Sequence, residues 1–322
     1  LPQASAASVL DGRFMSQLER FCQDQFPLRD PFRRLKAYFS YGLAHRLDNN
    51  GIYLVGGSAA QLEYPLSRSS VDRAAEKFQM IYDQYLSGSG KIVFSVVPDK
   101  GYYLAAPNGY PAMDYDALFD AFRAIPWAQY VDITPSLTAA SYYATDLHWR
   151  QERLLPVAQG LAEALSVTLP EDREETLCAL SGVFHGNYWG KTAETLAADT
   201  LSYLTDSVLE GCTVYDYETD STGGVYNFAA AQKAPYDLFL GGSKSLLRIE
   251  NPAGNDRTLV VFRDSFGSSL IPLLAEGYGT VYAVDIRYLA SDLLGRFVDF
   301  PDGADVLFLY SAAVLHNSVT LK

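Results

Sequence analysis

Residues 258–274 read Thr-Leu-Val-Val-Phe-Arg-Asp-Ser-Phe-Gly-Ser-Ser-Leu-Ile-Pro-Leu-Leu, and this stretch decides the fold. The run at residues 259–262 is apolar and rich in β-branched side chains, which predicts one buried strand. Over residues 268–274 the apolar spacing suits a helix. The stretch therefore predicts a strand-to-helix turn, and such a turn lies at the carboxyl edge of a sheet.

Ser265 lies in the predicted turn. At the N-terminus of the following helix its own amide can stabilise an anion, as a serine that takes part in acyl transfer requires. The alternative is that Asp264 and Ser265 only cap the helix, because both residue types are favoured at helix N-caps. This stretch alone favours capping.

A second stretch, Thr-Asp-Leu-His-Trp at residues 145–149, places a carboxylate two residues before an imidazole. One loop can present both groups, with Asp146 orienting His148 as a base. Together with Ser265 they form a candidate catalytic set of nucleophile, base and orienting acid. The order acid, base, serine is one of several that catalytic triads use. His185 is the rival base, since the chain contains only four histidines.

These residues belong to four segments that resemble, in the expected order, successive motifs of the bacterial DHHW protein family. The segments are Tyr-Ala-Thr-Asp-Leu-His-Trp at 143–149, Phe-His-Gly-Asn-Tyr-Trp at 184–189, Phe-Arg-Asp-Ser-Phe at 262–266 and Val-Asp-Ile-Arg-Tyr at 284–288. The resemblance runs over most of the chain, from residues 26–30 to residues 307–310. Leu147 stands where the motif that names the family has its first histidine, and Arg263 stands where SGNH enzymes have glycine.

The DHHW family is similar to the SGNH hydrolases, and especially to the alginate O-acetylation proteins, in which Asp-x-His precedes the nucleophilic serine. The resemblance implies an SGNH hydrolase-like α/β fold, with a doubly wound parallel sheet, helices on both faces and a permuted motif order. It also implies Ser265 as nucleophile, His148 as base and Asp146 as orienting acid. A further implication is export from the cytoplasm.

Four residues are candidates for contacting a substrate: Trp149, Asn187, Tyr188 and Arg287. Aromatic rings offer flat apolar faces to a sugar, and an asparagine side chain offers hydrogen-bond donors. Arg287 follows a predicted strand, so it can reach the same crevice as Ser265 and bind an anion there. The alternatives are core packing for Trp149, a turn for residues 184–189 and an ion pair with Asp285 for Arg287.

The rest of the chain predicts an alternation of strands and helices. Strands are predicted at residues 52–55, 92–97, 130–133, 213–217, 246–249, 280–284 and 305–310. Helices are predicted at residues 8–26, from residue 31, and at residues 70–86, 114–125 and 192–204. The strands that begin at 259, 280 and 305 are expected to be successive members of one parallel sheet whose carboxyl ends face one crevice.

With 322 residues and 48% hydrophobic side chains, the chain is long enough for a substantial core. We expect a single domain over residues 1–322, and an acidic run at residues 171–175 marks an insertion expected around residues 171–245. The net charge of -13 and the lack of a Lys/Arg cluster argue against nucleic acid as a partner.

The cysteines indicate no cross-linked or metal-bound scaffold. Cys22, Cys178 and Cys212 are odd in number and lack the ligand spacing of a zinc site. Core thiols are the simpler interpretation, and one disulfide remains open because sequence does not show which thiols meet. We expect neither a metal nor a cofactor beyond the acyl donor.

The start of the chain, Leu-Pro-Gln without a methionine, is typical of a processed protein. A removed signal peptide or membrane anchor is therefore expected before it. No stretch of the sequence reaches the about 18 consecutive apolar residues that a membrane helix needs.

Taken together, the motifs predict an extracytoplasmic, carbohydrate-directed acyl-ester enzyme, either an O-acetyltransferase or an acetylesterase, that uses a Ser-His-Asp triad. Its partners would be a cell-wall or exopolysaccharide glycan and an acetyl donor. The alternative is a glycan-binding or cell-surface scaffold module on the same fold, because a fold does not by itself imply catalysis.

Overall fold

The computed structural model describes residues 14, 15, 17, 18, 21, 29–43, 46–170, 176–192, 196–298 and 300–322. Cys22, the acidic run at residues 171–175 and most of the predicted helix at residues 8–26 lie outside them. In the ranges that the structure describes, none of the helices has both the length and the apolar character needed to cross a bilayer.

The strands of the described residues, β1 to β12 in chain order, are Ile52–Val55, Ser58–Gln61, Ile92–Val97, Gln129–Tyr130, Thr176–Ala179, Ser202–Thr205, Thr213–Asp216, Ser221–Gly223, Leu246–Glu250, Thr258–Arg263, Thr280–Val284 and Asp305–Ser311. Eight of these strands form one sheet in the order β4-β3-β12-β10-β11-β9-β7-β8. The pairs β1-β2 and β5-β6 are separate antiparallel hairpins.

The sheet is parallel at its centre and antiparallel at one edge. Strands β4, β3, β12, β10 and β11 run parallel to their neighbours. On the other side β9 runs antiparallel to β11, β7 to β9 and β8 to β7. The predicted parallel centre is therefore confirmed, and an antiparallel edge is added to it.

The α-helices of the described residues, α1 to α9, are Arg29–Tyr38, Arg68–Tyr85, Lys100–Leu104, Tyr115–Arg123, Leu155–Ala164, Ser207–Gly211, Phe228–Ala231, Gly267–Ala275 and Ala312–His316. A π-helical turn at Phe39–Leu43 continues α1. The 3-10 turns are Ala106–Asn108, Thr134–Ser136, Ala139–Ser141, Gln151–Arg153, Pro235–Leu238, Ser291–Arg296 and Ser318–Thr320.

Helices cover both faces of the sheet, as predicted. Leu259 and Val261 of β10 lie in one apolar cluster with residues of α5 and α8. Their neighbours Val260 and Phe262 lie in a second cluster with residues of α2 and α4. Because successive side chains of a strand point to opposite faces, a strand buried on both faces must be apolar throughout. This explains the uninterrupted apolar run that opens the deciding stretch.

One predicted helix is wrong. Within residues 192–204, the described part contains an isolated bridge between Asp199 and Phe184, followed by the start of β6. The side chain of Asp199 accepts hydrogen bonds from Ala144 and Thr145, so a distant loop holds this segment extended. The single domain and the insertion around residues 171–245 stay predictions.

The carboxyl ends of the central strands place polar groups along one edge of the sheet. Ser265 follows β10, Lys100 follows β3, Ser311 ends β12 and Asp285 follows β11. In open α/β sheets ligands bind in the crevice outside these strand ends. The candidate site is therefore expected where these residues meet.

Candidate active site

Ser265 lies in a turn that is held from both sides by one carboxylate. The side chain of Asp264 is fully buried; its Oδ1 accepts the N–H of Phe266 at 3.0 Å, and its Oδ2 accepts the N–H of Ser311 at 2.7 Å. The second bond ties the turn to the end of β12. The first bond is of the kind that caps a helix, so Asp264 takes the capping role that the sequence left open, whereas the hydroxyl of Ser265 faces His148 instead.

The loop at residues 143–149 brings an acid and a base to this serine. The Nδ1 atom of His148 lies 2.6 Å from Oδ1 of Asp146, and its Nε2 atom lies 2.8 Å from Oγ of Ser265. An ionised carboxylate only accepts, so Nδ1 donates to Asp146 and the lone pair of Nε2 faces the serine hydroxyl. The three side chains thus form a continuous hydrogen-bonded series.

Asp146 is built to stay ionised. Burial by itself would raise its pKa, but the charge of His148 and the hydrogen bonds to the carboxylate outweigh burial and lower the pKa. The backbone N–H of His148 donates to Oδ1 at 2.9 Å, and the N–H of Asn187 donates to Oδ2 at 2.7 Å. A permanently charged acceptor fixes the ring orientation of His148.

Asp199 anchors the start of this loop. Its carboxylate accepts the N–H of Ala144 at 2.9 Å, and both the N–H and the hydroxyl of Thr145 at 2.7 Å. Arg150, just after the loop, donates to the same carboxylate at 2.8 Å. The loop is therefore clamped one residue before Asp146.

Lys100 supports the same loop from the sheet side. Its ammonium group is buried and donates to the carbonyls of Tyr143 at 2.8 Å and Ala144 at 3.3 Å. Burial lowers the pKa of Lys100 to about 7, against the opposing charges of Asp146 and Asp199. The ammonium group of Lys100 is therefore buried beneath the loop that carries Asp146 and His148.

Tyr236 was missed by the sequence analysis. Its ring stacks on the imidazole of His148 with centroids 3.9 Å apart and planes 10° from parallel. Its hydroxyl shares a hydrogen bond of 2.8 Å with Oγ of Ser269 on α8. The stacking restricts ring rotation of His148 and adds to the restraint from Asp146. Only the Pro-Tyr pair in an irregular segment marked this residue in the sequence.

Ser265 and His148 open into a cavity of about 420 Å³. That volume suits a small ligand or a single ring, since ligand pockets span about 300–1,000 Å³. The other lining residues include His185, Asn187, Lys233, Pro235, Asp237, Gly242 and Ser243. Both hydrogen-bond donors and acceptors therefore surround the serine.

The predicted substrate contacts divide into one that lines this cavity and three that do not. Asn187 lines it. Trp149 is completely buried and its indole N–H donates to Phe266 and Ser269, so the expectation that it stacks on a ligand is wrong. Tyr188 is buried against Ile52 and Ala59 in a separate apolar cluster. Only 8% of Tyr188 is exposed, so its ring offers little surface to a sugar.

Arg287 forms the ion pair with Asp285 that the sequence offered as the alternative to a substrate contact. Its guanidinium donates to both oxygens of the fully buried Asp285, at 2.9 and 2.6 Å. This two-pronged pair uses two of the five guanidinium donors and offsets the positive charge that would attract an anionic substrate. Arg287 is not among the residues that line the cavity of Ser265.

His185 lies on the cavity wall and stacks on Trp189, with ring centroids 4.2 Å apart. Among the described residues, the histidine within hydrogen-bond distance of Ser265 is His148. Over the same residues, no group of three or more His, Cys, Asp or Glu side chains is arranged to hold a metal ion. Cys178 and Cys212 are free thiols.

No protein-family model and no curated protein matches this sequence. Solved structures do. A DHHW family protein from Eubacterium siraeum superposes with a TM-score of 0.67 and 22% identity, over 84% of this chain and 93% of that chain. PatB1 of Bacillus cereus, with a sulfonyl adduct, gives 0.63 and 15% identity over 82% and 95%. The O-acetyltransferase domain of Pseudomonas putida AlgJ gives 0.51 and 14% identity over 83% and 92%.

At these identities the likeness establishes the fold. It confirms the predicted α/β architecture and the resemblance to the DHHW family at the level of structure. The fold alone does not determine the activity, because one fold hosts many functions.

Proposed function

We propose that this protein transfers or hydrolyses acetyl esters of a carbohydrate through an acyl-serine intermediate at Ser265. The observation that carries the proposal is the series Asp146, His148, Ser265, joined at 2.6 and 2.8 Å and open to a cavity. A nucleophile in contact with a base that a third group orients is the arrangement on which serine acyl transfer depends.

In the first half of the reaction Ser265 attacks the acetyl carbonyl of a donor ester while His148 takes the serine proton. The tetrahedral intermediate collapses, the bond to the donor oxygen breaks, and His148 returns the proton to that oxygen. Asp146 keeps the ring in place and stabilises the imidazolium that forms between the two steps. The products are acetyl-Ser265 and the free donor alcohol.

In the second half an acceptor hydroxyl enters the cavity, and His148 takes its proton as it attacks the carbonyl of acetyl-Ser265. The bond between the acetyl carbon and Oγ of Ser265 then breaks, and His148 returns the proton to Oγ. A sugar hydroxyl gives O-acetylation, and water gives ester hydrolysis. The two outcomes share the intermediate and differ in which hydroxyl reaches it first. The mixed donors and acceptors of the cavity wall suit a sugar, and one structural neighbour is itself an O-acetyltransferase domain.

We propose that the acceptor is a cell-wall or exopolysaccharide glycan and that the protein therefore acts outside the cytoplasm. This location and the acetyl donor are parts of the proposal.

Purified protein tests the proposal with p-nitrophenyl acetate and with a panel of oligosaccharides. We expect ester turnover that Ser265→Ala lowers by orders of magnitude, since removal of a nucleophile does so while leaving the fold intact. In mass spectra, a gain of about 42 Da on an oligosaccharide means acetyl transfer, and the same loss from an acetylated one means hydrolysis. Equal turnover by the folded wild type and Ser265→Ala excludes acyl-serine chemistry.

A further inference from the structure

A turn at residues 240–243 contributes Gly242 and Ser243 to the wall of the cavity and has an unusual backbone. Leu240, Gly241 and Gly242 all have positive φ angles, of 56°, 72° and 83°. For leucine this left-handed conformation is unfavourable, and it persists only where the surroundings impose it. The side chain of Leu240 is buried in the main apolar cluster, which holds it there. At Gly242 a Cβ atom would collide with the carboxylate of Asp237.

Arg263 joins this turn to the turn that carries the nucleophile. Its side chain is completely buried. One terminal nitrogen donates to Oγ of Ser268 at 2.9 Å and to the carbonyl of Asp264 at 3.4 Å. The other donates to the carbonyls of Gly242 at 3.5 Å and Lys244 at 3.4 Å. A single planar group therefore fixes the two turns relative to each other.

These bonds orient the peptide between Gly242 and Ser243. In a trans peptide the C=O and the N–H point in opposite directions. Since the carbonyl of Gly242 points to the buried Arg263, the N–H of Ser243 points away from it. Gly242, Ser243 and Ser265 line the same cavity.

Two backbone donors at this cavity are unused. Among the described residues, the N–H groups of Ser243 and Ser265 have no hydrogen-bond partner. Backbone N–H groups are almost always paired when they are not exposed to solvent or a ligand. Donors that are fixed in advance and aimed at a reacting carbonyl are what stabilises an oxyanion.

We propose that the N–H of Ser243 is the second oxyanion donor beside the N–H of Ser265, and that Arg263 is the positioning residue that aims it. This inference rests on the proposed acyl-serine function. It assigns a role to the arginine that stands where SGNH enzymes have glycine. The guanidinium touches no reacting atom and acts through the peptide that follows Gly242.

The decisive experiment converts the peptide bond between residues 242 and 243 into an ester, so that an oxygen replaces the N–H of residue 243. Both the ester protein and its reference carry Ser243→Ala. The two proteins compared then differ by one atom group, and the N–H that is lost makes no hydrogen bond within the described structure. With p-nitrophenyl acetate we expect kcat to fall about 100-fold or more, the effect of losing one oxyanion donor, with KM changed less than about twofold. The same kcat for both proteins overturns the assignment of the donor.

Arg263→Lys and Arg263→Gln test the positioning role, with folding checked by circular dichroism. We expect either folded variant to lower kcat without raising KM, and the ester replacement to add little to that loss because both changes remove the same donor. A folded variant with lower thermal stability but wild-type kcat shows that Arg263 is only structural. Failure of the proposed function gives a different result. In that case the wild type shows no ester turnover, or Ser265→Ala keeps it.

Discussion

The contacts of each histidine predict how its loss affects the reaction. The two ring nitrogens of His148 contact Asp146 and Ser265, whereas the ring of His185 stacks on Trp189. We expect His148→Ala to lower kcat for p-nitrophenyl acetate by orders of magnitude, as Ser265→Ala does. The double variant should be little worse than either single one, because residues that act as a unit fail together.

The matched control is His185→Ala, which removes the other imidazole of the cavity wall. Its ester turnover should stay close to that of the wild type, since in the described part of the chain Ser265 bonds to His148 and not to His185. Abolished turnover in His185→Ala, with His148→Ala still active, moves the base to the aromatic segment at residues 184–189.

For single residues, the sequence identifies the catalytic candidates better than it predicts the orientation of their side chains. The spacing of Asp146 and His148 and the turn around Ser265 predicted a set that the structure places in contact. Trp149 follows His148 directly, yet it points into the core because its indole N–H finds two acceptors near α8. Tyr236 contacts His148 only in the folded protein, and no local sequence pattern predicts this contact.

At the scale of structural elements, the bridge between residues 184 and 199 supports the loop at residues 143–149. Asp199 accepts three hydrogen bonds from Ala144 and Thr145. Asp199→Asn replaces one acceptor oxygen by an NH2 group, which cannot accept hydrogen bonds from Ala144 or Thr145. We expect a loss of about 1–3 kcal/mol in the free energy of unfolding, a lower kcat and faster hydrogen exchange at the amides of residues 144 and 145.

A matched control for this change is Asp206→Asn. Asp206 accepts the N–H groups of Val208 and Leu209 at the start of α6, so it has a similar bonding pattern away from the cavity. Because asparagine caps a helix about as well as aspartate, this variant should change the free energy of unfolding little and leave ester turnover unchanged. Wild-type turnover and unchanged exchange in Asp199→Asn show that the clamp on residues 144 and 145 does not position His148.

Elements were predictable where local pattern and tertiary packing agree. The predicted strands at residues 52–55, 92–97 and 280–284 match β1, β3 and β11 residue for residue. Residues 192–204 show the opposite case, because a buried carboxylate that serves another loop decides the backbone there. The antiparallel edge of the sheet was also beyond local pattern, since strand direction depends on which partner a strand meets.

At the scale of the whole molecule, the site joins parts of the chain that lie far apart in sequence. The ends of β3, β10 and β12 meet at one edge, and the loop at residues 143–149 closes over them. Lys100, at the end of β3, is buried between this loop and the sheet. The protonation state of Lys100 therefore affects both the free energy of unfolding and the position of the loop that carries His148.

The pH dependence of folding tests that link. Burial lowers the pKa of Lys100 to about 7 in the folded protein, whereas a lysine in the unfolded chain titrates near 10.4. Between these values the unfolded chain binds more protons than the folded one, so this lysine makes stability rise with pH, and its destabilising effect is complete below pH 7. Lys100→Met removes this contribution.

We expect the free energy of unfolding of the wild type, relative to Lys100→Met, to rise from pH 7 to pH 10 by up to about 1.4 kcal/mol for each pH unit. Urea denaturation at a series of pH values measures it, and the difference between the two proteins cancels the titration of the other groups. Lys91→Met, at an exposed lysine, is the control and should follow the wild-type curve. Parallel curves for Lys100→Met and the wild type mean that Lys100 keeps its proton in the folded protein, with its charge stabilised by Asp146 and Asp199 despite burial.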